Sequence, residues 1–83
     1  MGLTVLLVED SPIVRHFLRA QLQALGATVV SEHGSEPEAL EWIGASGCPV
    51  DLAIIDLMLE EGTGMRVIAA ARQANPTVRL AVY

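Results

Sequence analysis

Glu9 and Asp10 stand side by side, directly after the apolar run at residues 3–8 (LTVLLV) and directly before Ser11-Pro12. Far along the chain a third carboxylate, Asp56, follows a second, mostly apolar run at residues 50–55 (VDLAII). Ionised carboxylates only accept hydrogen bonds, and several in one place repel one another and lose hydration, which raises at least one pKa. A hard divalent cation removes the conflict. Mg2+ takes oxygen ligands in an octahedral shell, drawn from carboxylates, a carbonyl, waters and substrate phosphate. An aspartate whose charge is offset in this way is also a nucleophile toward phosphorus, because the metal lessens the repulsion of an incoming phosphate. These residue types therefore point to Mg2+-assisted phosphoryl chemistry on a carboxylate. Strand ends are wet, however, and acids collect there for that reason alone. The Glu9-Asp10 pair by itself fits that plainer account, and a third acid at the end of another apolar run argues for a site.

The elements that must position these acids follow from periodicity and punctuation. Residues 3–8 and 50–55 read as strands buried on both faces, residues 27–31 (ATVVS) as a second strand and residues 78–82 as a fourth. Ser11 as cap and Pro12 at the first helical position open a helix whose stripe is Ile13, Val14, Phe17, Leu18, Leu22 and Leu25, closed by Gly26. Ser35 with Glu38 fits a capping box, opening a helix through Ala39, Leu40, Trp42 and Ile43 that ends in GASGCP at residues 44–49. Residues 57–63 form a loop with Gly62 and Gly64 as pivots. A third helix follows, with Met65, Val67, Ile68 and Ala71 inward, and stops at Asn75-Pro76. The order βαβαβαβ predicts an α/β fold with a parallel sheet and right-handed crossovers. In such sheets the site lies past the carboxyl ends of the strands, where strand order reverses. If the first strand lies between the second and the third, Glu9, Asp10 and Asp56 meet.

Composition narrows the function classes. The 83 residues suggest one small domain, and 52% of them are apolar, which hints at a sheet buried on both faces or at surface that something else covers. The net charge is −5, and the five cations (Arg15, Arg19, Arg66, Arg72 and Arg79) are all arginine. That balance argues against direct nucleic-acid binding. No apolar run approaches the roughly 18 residues of a membrane span, and no signal-peptide pattern opens the chain. Cys48 stands alone, which excludes a disulfide framework or zinc ribbon and suggests an intracellular, cytoplasmic thiol. His16 (in the first helix) and His33 (in a loop) lack partners at ligand spacing. There is no GxSxG, Walker A or GxGxxG pattern. Trp42 and Met65 read as core, Ser11 and Ser35 as caps, and Glu36, Glu38 and Glu41 as a solvated helix face.

LLVEDSPIVR and, some forty residues on, DLAIIDLMLEEGTG together resemble the receiver (response-regulator) domain of bacterial two-component signalling, over all 83 residues. The resemblance implies a flavodoxin-like doubly wound parallel sheet, in the order 2-1-3-4 here. Residues 1–83 would then be a receiver domain incomplete at the C-terminus, lacking the fifth strand and the last two helices. It further implies that Asp56 is the phosphoacceptor, taking a phosphoryl group from a sensor histidine kinase or phosphotransfer protein. Mg2+ would be held by Asp10 directly, by Glu9 mainly through a water, by Asp56 and by the backbone carbonyl of Met58. Such a chain is a signalling phosphoacceptor rather than an enzyme, at most promoting its own phosphorylation and dephosphorylation. Glu60 stands where the family usually has proline, a departure expected to touch no ligand.

The family's phosphoryl-binding hydroxyl falls one residue past Tyr83, and its lysine has no counterpart because the chain contains no lysine. The expectation is that Mg2+ binding survives while transfer and switching are impaired. A free edge at residues 78–83, without proline or lysine, and an uncovered sheet face further predict self-association. Two alternatives remain: a receiver-like interaction module that is never phosphorylated, and a phosphatase with an aspartate nucleophile. The phosphatase is disfavoured because Met58 stands where such enzymes place a second aspartate.

Overall fold

Each apolar run becomes a strand and each capped stripe a helix. The computed structural model describes residues 2–83 and contains β1 (Thr4–Val8), α1 (Pro12–Ala24), β2 (Thr28–His33), α2 (Glu36–Ser46), β3 (Leu52–Ile55), α3 (Gly64–Ala74) and β4 (Arg79–Val82). All strand pairs are parallel and the order is β2-β1-β3-β4, the flavodoxin-like doubly wound arrangement, with the reversal between β1 and β3. Ser11 Oγ accepts the Val14 amide at 3.3 Å to start α1 behind Pro12. Ser35 Oγ accepts the Glu38 amide, the forward half of the box expected for α2, while Glu38 takes its return bond from the Ser35 hydroxyl rather than from the Ser35 backbone amide. Gly47, in the left-handed region at φ +80°, ends α2. The third cap is Thr63, whose hydroxyl accepts the Met65 amide at 3.1 Å.

Side chains alternate across the sheet, so β1 divides its apolar residues between two layers. Leu6 and Val8 join Ala53 and Ile55 of β3, Ala39 and Ile43 of α2, and Val67 and Ala71 of α3 in one core. Val5 and Leu7 are fully buried outside that cluster. The α1 layer is thinner. Leu52 and Ile54 of β3 are only half-buried, α1 has no fully buried residue, and Phe17 is 59% exposed. The stripe predicted to face inward is therefore corrected: Leu18 and Leu22 are half-buried, whereas Ile13, Val14, Phe17 and Leu25 are exposed. α1 packs against β1 and β2 alone among its main contacts, whereas α2 and α3 pack against each other, so much of its stripe meets no neighbour.

Three further expectations change. His33 ends β2 rather than lying in a loop, because β2 runs two residues beyond the apolar pattern. Met65 is exposed: the inward positions of α3 are Gly64, Val67 and Ala71, and residue 65 lies off that face. Glu36 is buried rather than solvated, for a reason given below.

The first residue of β1 and the residue just before β3 are tied by a polar clasp. Asp51 Oδ2 accepts the Thr4 amide and hydroxyl, both at 2.9 Å, and the Asp51 amide donates back to Thr4 Oγ1 at 3.0 Å. The hydrogen bonds from Thr4, the amide's first and then the hydroxyl's, hold the Asp51 carboxyl below its ordinary value of 3.8. A depressed folded-state pKa stabilises the protein above the unfolded value, and the gain is lost as pH falls through the folded one. Urea midpoints measured between about pH 6 and pH 2 should therefore fall more steeply for the wild type than for Asp51→Asn. Parallel curves would show that the charge on Asp51 adds nothing to the clasp.

Candidate functional site

Parallel pairing of β1 with β3 puts Val8 opposite Ile55, so the next residues along each strand, Glu9 and Asp56, emerge together. The Asp56 amide donates to the Val8 carbonyl and the Glu9 amide to that of His33, both at 3.0 Å, which seats the first corner between two neighbours. One oxygen from each of Glu9, Asp10 and Asp56 lies within 4.8 Å of the others. Glu9 is buried, and Asp10 and Asp56 are half-buried. The structure thus gathers three hard oxygen donors from two chain-distant corners, a donor set suited to an oxygen-preferring divalent cation.

Each acid is oriented by a donor. Glu9 Oε2 accepts the Ser11 amide at 2.9 Å, and Asp56 Oδ1 accepts the Met58 amide at 3.0 Å. Asp10 Oδ2 accepts the Glu60 amide at 2.7 Å, across the loop that follows β3. That bond, followed by the hydrogen bond with the Glu9 side chain, lowers the Asp10 carboxyl below its ordinary value. The expectation that Glu60 touches no ligand is therefore corrected. Its backbone reaches Asp10, and it can do so because the residue is not proline, which has no N–H to give. Met58 is held against Asp56 through its own amide, while its side chain is exposed.

The loop at residues 57–63 is shaped from outside. The Leu57 carbonyl accepts the Gly64 amide at 3.1 Å, and Met58 bridges to Thr63. Glu36, in the first turn of α2, accepts the Thr63 amide on Oε2, pairs with Arg66 through Oε1 at 3.6 Å, and gives its own amide to the Glu61 carbonyl. This anchoring is why Glu36 is buried while Glu38 and Glu41 stay exposed as expected. Gly62 sits at φ +95°, and a Cβ there would run into the Glu36 side chain.

Sequence reasoning did not find Tyr83. Its backbone continues the β4 pairing past Ile55, and its hydroxyl donates to Glu9 Oε1. Burial, the Glu9 hydrogen bond and the charges of Glu9, Asp56 and Asp10 raise the phenol's pKa above its ordinary value, so it stays a donor. The only available signal was register: Val82 opposite Ile55 places residue 83 beside residue 56. The histidines stay out of the cluster. His33 shares a hydrogen bond with Ser31 and packs 5.9 Å from Trp42; partial burial, the largest influence, lowers its pKa. His16 meets Arg19.

Fold and site define an α/β protein with an acidic corner at the switch point of its sheet. The chain belongs to the response regulator receiver domain family, which it matches over residues 5–83. It is 30% identical over 79 residues to the photosynthetic apparatus regulatory protein RegA of Rhodovulum sulfidophilum, covering 89% of this chain and 38% of that protein. It is 37% identical over 76 residues to the sensor kinase CckA of Brucella abortus (strain 2308), covering 92% of this chain and 8% of the kinase. Among solved structures, a response regulator protein from Burkholderia pseudomallei, crystallised with a phosphorylated aspartic acid, calcium ion and citrate, superimposes with a TM-score of 0.84. That pair is 25% identical and covers 98% of this chain and 46% of the other. The chain thus spans well under two thirds of each of these proteins. No helix among the described residues is long and apolar enough to cross a membrane.

Proposed function

We propose that this chain is a phosphoacceptor of two-component signalling, with Asp56 taking a phosphoryl group from the phosphohistidine of a sensor histidine kinase or phosphotransfer protein. In that step the N–P bond breaks, a bond forms from an Asp56 carboxylate oxygen to phosphorus, and the imidazole recovers a proton. Glu9, Asp10, Asp56 and the Met58 backbone carbonyl would hold Mg2+, which when bound offsets negative charge around the incoming phosphoryl group. The protein acts as a signalling carrier in the cytoplasm rather than as an enzyme with a separate substrate. What supports this reading is one observation: acid oxygens from two strand ends far apart in sequence lie within 4.8 Å of one another.

The test is to incubate the chain with Mg2+ and acetyl phosphate and follow intact mass. A single phosphoryl adduct that requires Mg2+ supports the proposal. Its absence over hours, with the chain folded, would overturn it, and multiple turnovers of donor would indicate a phosphatase. The 83 residues hold no lysine to meet the phosphoryl oxygens, so slow accumulation is expected.

The interaction-module alternative has its own support. β4 lies at the edge of the sheet and carries neither proline nor lysine, and the α1 layer leaves Phe17 and Ile13 exposed. A second copy of the chain is the expected occupant. Light scattering over a concentration series should show a mass rising toward the dimer; a constant monomer mass would remove this alternative.

A further inference from the structure

Arg15 approaches the acidic corner from α1, and its contacts are with the backbone of the site. Its Nη1 donates to the Glu9 carbonyl at 2.7 Å, while its Nε lies 3.3 Å from Glu32 Oε1. Glu32 is itself pinned, because Arg19 Nη1 sits 2.8 Å from both of its oxygens. The Arg15 side chain is three-quarters buried, and its guanidinium lies beside Gly34, where a Cβ would come within 3.0 Å of Nη1. Space has been kept for this group.

The bonded carbonyl belongs to the planar peptide unit that also carries the Asp10 nitrogen. Its direction therefore sets the direction in which the Asp10 Cα and carboxylate leave the strand. Asp10 is then held at both ends, through this peptide on one side and through the Glu60 amide on its carboxylate on the other. We propose that Arg15, oriented by Glu32, is a positioning residue that fixes the Glu9–Asp10 peptide and so presents the Asp10 carboxylate to the cation. This inference rests on the Mg2+ reading above.

Charge and geometry make opposite forecasts, which allows a test. Removing a nearby positive charge should tighten cation binding, whereas losing the fixed peptide should weaken it. Arg15→Lys keeps the charge but cannot span the Glu9 carbonyl and Glu32 with one planar fork. Calorimetric titration of the whole chain with Mg2+ should show binding weakened about tenfold in both Arg15→Lys and Arg15→Ala. Gly34→Ala, which changes no charge but crowds Arg15 Nη1 from 3.0 Å, should weaken binding in the same direction and serves if the Arg15 variants fold poorly. Moved Asp10 and Glu60 amide resonances in the metal-free Arg15→Lys spectrum would show the change at the site itself. If the wild type binds Mg2+ and Arg15→Lys binds it equally well, or Arg15→Ala binds it more tightly, the positioning role is overturned while the metal reading stands. If the wild type binds no Mg2+, both fall.

Discussion

Asn at position 56 is expected to abolish phosphoryl uptake from acetyl phosphate and Mg2+, taking the slowly accumulating adduct of the wild type to below detection, a loss of at least about 100-fold. The substitution is nearly isosteric, and an amide oxygen can still accept the Met58 N–H that Asp56 Oδ1 accepts now. The loop should therefore keep its shape while the proposed nucleophile is lost, since an amide does not attack phosphorus at a useful rate. Glu9 and Asp10 make this a demanding test, because both offer oxygens in the same cluster. Each, however, is already engaged by donors, Glu9 by Ser11 and Tyr83 and Asp10 by Glu60. Intact-mass measurements on wild type and Asp56→Asn decide the matter. An undiminished adduct in the variant would assign the acceptor elsewhere.

The largest structural effect is expected from Gly64→Ala. Gly64 is buried at the start of α3, and a Cβ there would collide with the Asp56 carbonyl oxygen while lying 2.9 Å from the Leu57 Cα. Both neighbours are backbone, so no rotamer change relieves the contact, and the end of β3 must separate from α3. The expected cost is about 3 kcal/mol, a large share of the stability of a domain this small. Gly44 provides the control. It lies within α2, exposed, and a methyl group added there would meet nothing within 4 Å. Gly44→Ala should therefore stabilise by up to about 1 kcal/mol through helix propensity and unfolded-state entropy. Urea unfolding of the two variants should shift in opposite directions. Equal midpoints for Gly64→Ala and wild type would mean that the close approach is relaxed in solution.

Legibility of the fold followed the kind of interaction concerned. Strand identity rests on apolar runs, and helix starts at Ser11 and Ser35 rest on side-chain caps, so both could be read directly. The meeting of Glu9 and Asp10 with Asp56 followed from parallel topology, since strand ends that pair in register must expose adjacent residues. Three features escaped for physical reasons. The bond from Glu60 to Asp10 is made by a backbone amide, which every residue but proline carries, so residue type does not announce it. Glu36 sat in a ribbon of acids that looked uniformly wet, and only the returning loop singles it out for burial. Thr63 capped a helix from within a stretch whose flanking glycines read as pivots. The exposed stripe of α1 is a different case: its periodicity was read correctly, but how much of a face is covered depends on every element that packs there.

Loop 57–63 is strung between carboxylates on separate elements, with Asp10 taking its amide at Glu60 and Glu36 taking the one at Thr63. Its contour is therefore dictated by its surroundings more than by its own torsional preferences, much as a cord takes its line from the pegs that hold it. One peg stands among the acids and the other in α2. A substitution at position 36 can thus redraw the path of the chain past Asp56 without altering a single residue of the loop or of the acid cluster.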